Sequence, residues 1–89
     1  MDILEQLKKA SQAAEATNLV FETDRFNFLI CPRTARLILQ SHRFLNKERQ
    51  FVFESDLNTK EEFLNIYFFC MKNYKLIDQI EALKTARGV

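Results

Sequence analysis

The sequence predicts an α+β domain, with a short antiparallel sheet packed on a long C-terminal helix. Three observations lead there. Apolar residues recur at steps of three and four in three separate stretches. Phenylalanine and β-branched residues gather between the first two of them. A chain of 89 residues has room for one modest core, so a single domain spanning 1–89 is expected. The order read along the chain is α-β-β-α-β-α, with the last helix able to split near Asn73 and Tyr74. Apolar runs this short are ambiguous, and a mostly helical chain is the alternative.

The first helix is expected over residues 2–17, where Ile3, Leu7, Ala10 and Ala14 form one stripe with Leu4 beside it. Such a short helix needs docking to be stable in water. Val20, Phe21, Phe26, Phe28 and Ile30 then favour β-structure. Thr23-Asp24-Arg25 interrupts them, which gives a hairpin of about 19–22 and 26–30.

Pro32 suits the first turn of a helix, where its missing N–H costs nothing. That helix should run to about Leu45, with Ala35, Ile38, Leu39, His42 and Leu45 toward the core. Residues 51–54, Phe-Val-Phe-Glu, read as a third short strand after the polar stretch Asn46–Gln50.

The C-terminal helix is expected from Asn58 to about Leu83. Phe63, Ile66, Tyr67, Cys70, Met71, Tyr74 and Ile77 make one continuous face. Asn58 with Glu61, or Thr59 with Glu62, has the spacing of a capping box. Past Asn73 the apolar set shifts round the axis to Leu76, Ile80 and Leu83, and Gly88 is a fitting stop.

Composition narrows the function classes. One glycine and one proline exclude collagen-like and loop-rich architectures. A net charge of +1 does not by itself predict a nucleic-acid partner. The positive charge is concentrated, however: residues 25–49 hold six basic groups against Glu48 alone. Cys31 and Cys70 form no disulfide framework, and the start Met-Asp-Ile-Leu-Glu has neither the basic end nor the apolar run of a signal peptide. No stretch approaches the roughly 20 apolar residues of a membrane span. A cytoplasmic protein with no membrane partner is therefore expected.

Three features bear on chemistry. On the middle helix Arg33, Arg36, Gln40, Arg43 and Lys47 fall in one stripe about 80° wide, with Phe44 at its edge. This fits a face for phosphates or an acidic protein, but a solvated face, or cations paired with Glu22, Asp24, Glu54 or Asp56, is the favoured reading. No helix-turn-helix accompanies it, which argues against reading a major groove.

Cys31 stands where a strand gives way to a helix, beside Arg33 and Arg36. A thiolate would be favoured there, so a thiol-dependent enzyme is the weakest of three readings. Nothing else supports catalysis. His42 is the sole histidine, the cysteines have no zinc spacing, and adjacent Glu61 and Glu62 do not face one another on a helix. No phosphate-cradling loop exists, since glycine occurs only at position 88. No catalytic residue, metal or cofactor is assigned.

The last feature is surplus apolar surface. Phe68, Phe69, Leu76, Ile80 and Leu83 need cover beyond the main helix face, and self-association or a protein partner could supply it. The expectation is a small non-enzymatic regulator or inhibitor working by protein–protein contact, able to form a homodimer. Nucleic-acid binding through Arg33–Lys47 is the runner-up.

Overall fold

A computed structural model of the chain describes residues 2–86. Helix α1 (Ile3–Gln12) leads into strands β1 (Thr17–Phe21) and β2 (Phe26–Ile30). Four helices follow: α2 (Pro32–Arg43), α3 (Lys47–Leu57), α4 (Lys60–Lys72) and α5 (Tyr74–Ala86). The α+β class is as expected, with one two-stranded antiparallel sheet. Gly88, the expected helix stop, lies outside the described residues.

The hairpin pairs Thr17 with Ile30, Leu19 with Phe28 and Phe21 with Phe26 on its inner face; Asn18, Val20, Asn27 and Leu29 point outward. Its turn closes with Arg25 at φ 49°, a left-handed conformation that costs a non-glycine residue about 1 kcal/mol. The outer edge of β1 is met by α1. The Gln6 amide donates to Val20 O at 3.0 Å and accepts from Val20 N at 2.7 Å, standing in for a neighbouring strand.

Ile3, Leu4, Leu7 and Ala10 of α1 bury against the core that Ala35, Leu37 and Ile38 of α2 share. Helix α1 ends sooner than the expected residue 17. After Ala10 its buried stripe has no use for Ala14, which is exposed, and Ala13 turns extended to lead into β1.

Between hairpin and α4 lies a cluster of rings. Phe63 is fully buried, edge-on to Phe21 at 5.0 Å and to Phe28 at 5.2 Å, and Phe28 is in turn 4.9 Å from Tyr67. Edge-to-face pairs of this kind add about 0.5–1.5 kcal/mol each beyond the area they bury.

The expected third strand over residues 51–54 is instead the middle of α3. The Asn46 side chain accepts from Arg49 N at 2.9 Å and opens that helix. Gln50 then donates to His42 O at 3.1 Å, Phe53 stacks near His42, and Leu57 is fully buried. Tertiary contacts at helical spacing override the β preference of Phe51, Val52 and Phe53.

Neither expected capping box forms at α4. Asn58 is drawn away, its Oδ1 accepting from Ile3 N at 2.9 Å, and Thr59 makes no side-chain cap. The Asp24 carboxylate, reaching from the hairpin turn, accepts from Lys60 N at 2.8 Å instead. At the other end Asn73 separates α4 from α5. Its amide Nδ2 donates to Phe69 O at 2.8 Å, beside the backbone bond from its own N–H to the same oxygen at 3.0 Å.

Candidate functional site

An apolar groove of about 450 Å³ lies between the end of α2, α3 and the α4–α5 rod. Phe44 and Leu45 close it at one end and Phe53 stands on the α3 side. Ile66, Phe69, Leu76, Ile77 and Ile80 form the rod side. Two of its three polar residues bond within the chain: Ser41 Oγ donates to Leu37 O at 3.2 Å and lies 3.3 Å from Cys70 Sγ, and Asn73 donates to Phe69 O; the third, Asn65, is exposed. The walls therefore offer apolar surface and almost no unspent donors.

Three of the five residues expected at an interface line this groove. Phe69 is 60% exposed and Leu76 53%, and both line the groove with half-buried Ile80. Leu83, 59% exposed, carries the α5 stripe onward. Phe68 does not join them. One residue further round α4, it leans on Tyr67 at 5.3 Å on the opposite shoulder.

A further pattern escapes a reading of the two helices one at a time. Ile66, Phe69, Asn73, Leu76, Ile80 and Leu83 follow one another at steps of 3, 4, 3, 4 and 3. This is the spacing of a coiled-coil seam, and it runs straight through the break. Five of the six line the groove. The spacing was visible in the sequence; that Phe69, Leu76 and Leu83 along it stay more than half exposed was not.

The basic stripe is divided. Arg33, Arg36 and Gln40 line a second cavity of about 440 Å³ with Cys31, Thr34, Met71, Tyr74 and Asp78. Arg36 Nη1 donates to Ser11 O at 2.9 Å, tying α2 to the end of α1. Arg43 pairs with Glu81 at 3.4 Å on α5. Lys47 opens α3, because α2 stops at Arg43 short of the expected Leu45. Phe44 faces the apolar groove instead of standing by the arginines.

The two thiols differ. Cys31 is exposed at the head of α2, 3.0 Å from Thr34 Oγ1. That hydroxyl, then the Thr34 backbone N–H, holds its pKa below the ordinary thiol value, against a small opposing effect of burial. Cys70 is buried, which pushes its pKa up despite the contact with Ser41. His42 rests against Phe53. Its buried Nε2 has no hydrogen-bond partner, and Glu54 Oε2 at 3.6 Å is too far for one. Among the described residues Cys31 contacts Thr34 and Cys70 contacts Ser41, neither of them a histidine, and no group of three or more His, Cys, Asp or Glu there could hold a metal. No helix among them is long and apolar enough to cross a membrane.

No family model, curated protein or solved structure matches this chain.

Proposed function

We propose that this protein is a small non-enzymatic regulator that acts by protein–protein contact, with the groove along α4 and α5 as its contact surface. The observation that carries this reading is the groove itself. It is an apolar trough of about 450 Å³ whose wall includes Phe69 and Leu76, each more than half exposed. A contiguous exposed apolar surface is costly to leave in water and is a recurrent mark of recognition sites. A helix laid in such a trough is held by side chains three and four apart, and the groove's length along two helices suits that mode.

The nucleic-acid reading has less support, because Arg36 and Arg43 are engaged within the chain and Lys47 sits on a different helix. The thiol reading rests on Cys31 alone.

Affinity capture from the native host, with wild-type and Phe69→Glu chains as baits, tests the proposal. A protein (the untagged chain included) that resists high salt on the wild-type bait and is lost from the variant is the expected result. An identical bound set on both baits overturns it. Nuclease-sensitive material lost on Arg36→Glu but kept on Phe69→Glu would move the assignment to the arginines.

A further inference from the structure

We infer that the occupant of the groove is a second copy of this chain, two α4–α5 seams pairing about a twofold axis; the inference rests on the groove being a contact surface. The first support is the seam. Ile66, Phe69, Asn73, Leu76, Ile80 and Leu83 hold a/d spacing over both helices, and a seam of that spacing is complementary to another seam of the same kind. Every copy carries one, so the patch satisfies the self-complementarity that a twofold interface requires. Asn73 is the single polar member of the seam, and its amide Nδ2 is already held by Phe69 O within the chain.

The flanks point the same way. On one side of the seam Cys70 and Ile77 are buried in the chain's own core. On the other, Asn65, Lys72 and Gln79 are exposed and carry one charge between them. Among the described flanking side chains no dense like-charged rim opposes a second copy, and the whole chain at +1 has little net repulsion with itself.

Full burial of the exposed side chains sets an upper bound on the area and places the pairing at the weak end of dimers. With about 200 Å² for a fully exposed phenylalanine, the exposed and half-exposed groove residues present roughly 400 Å² of apolar surface per copy. Two copies bring roughly 800 Å². At about 65% apolar, the value for homodimer interfaces, this implies a total near 1,200 Å², where specific interfaces begin. A dissociable dimer is expected.

Sedimentation of the purified full chain over a range of concentrations tests this. Wild type should pass from monomer to dimer with loading. Phe69→Glu and Leu76→Glu should each raise the dissociation constant about a hundredfold or more, since the dimer would bury an unpaired carboxylate. Phe68→Glu, on the other shoulder of α4, should dissociate like wild type. Far-UV circular dichroism establishes that each variant is folded. Should both groove variants unfold, Asn73→Cys in a Cys31→Ala, Cys70→Ala background gives a second route: oxidation should trap a covalent dimer in high yield at concentrations where wild type is dimeric. A wild type that stays monomeric at the highest loading overturns the dimer, as does Phe68→Glu disrupting it as strongly as Leu76→Glu. A monomeric chain that still captures another protein through Phe69 would sink the dimer and leave the contact surface standing; a monomer with no groove-dependent capture would remove both.

Discussion

On one side of the α4–α5 rod, Phe63, Cys70 and Ile77 stand at seven-residue steps and are sealed in the core. On the other, Ile66, Phe69, Leu76 and Ile80 are as apolar and lie along an open groove. The difference comes from what the rest of the chain delivers to each side. The hairpin brings Phe21, Phe26 and Phe28 to the first, and two of these rings meet Phe63 directly. Helix α3 brings mainly Phe53 to the second, while its Phe51 and Val52 turn outward and are exposed. Apolar composition thus sets how much surface needs cover, and topology decides which part of it receives any.

The widest measurable gap between the two sides of the fold lies in the thiols. Cys31 should react with an alkylating reagent in the native state, and Cys70 only when the core opens. Because opening a core approaches the global free energy of unfolding, the native rates should differ by more than about a thousandfold. Mass spectrometry of partly labelled protein measures this directly, and comparable labelling of both would mean that the sealed side is not sealed. The lowered Cys31 pKa also sets a direction with pH. Its thiolate, and so its alkylation, persists to lower pH than for an ordinary thiol; Thr34→Val removes the main stabilising hydroxyl and should move the rate–pH midpoint upward.

Next in size is the ring cluster. Phe63→Ala empties the contact between hairpin and α4 and should cost about 3–5 kcal/mol, read as a lower denaturant midpoint. A loss below about 1 kcal/mol would show that the cluster collapses around the gap.

How much of this contrast was readable beforehand follows from which links are local. The alternation of Phe26, Phe28 and Ile30, the proline opening α2 and the break at Asn73 are local signals, and each marks an observed element or boundary. Residues 51–54 misled because Phe-Val-Phe has strand propensity. The contacts that make them helical, Gln50 to His42 O and Leu57 in the core, join segments distant in sequence. Asn58 looked like a cap for α4, yet its bond to Ile3 N spans 55 residues. For the candidate surface, the residues were nameable and the seam spacing was present, but exposure was not. Whether Leu76 is covered depends on where α3 passes, and no periodicity states that.

Asp24 tests a joint between the well-covered half and the rod. Its carboxylate is the side-chain acceptor at the head of α4, and Asp24→Ala should cost about 1 kcal/mol, with Asp24→Asn retaining much of it. Unchanged stability in the alanine variant would indicate that water replaces the carboxylate at Lys60 N.

The smallest expected effect is the most telling for the open side. Leu76→Gln, studied in dilute monomer, should alter stability by no more than about 0.5 kcal/mol, because its side chain is already half in water and packs on one flank only. Chemical denaturation at two protein concentrations checks this. At low concentration the variant should match wild type; at high concentration wild type should gain stability that the variant lacks, since association stabilises the folded state by mass action. A loss of 2 kcal/mol or so in the dilute sample would place Leu76 in the monomer's own core, and the contrast between the two sides of the rod would dissolve.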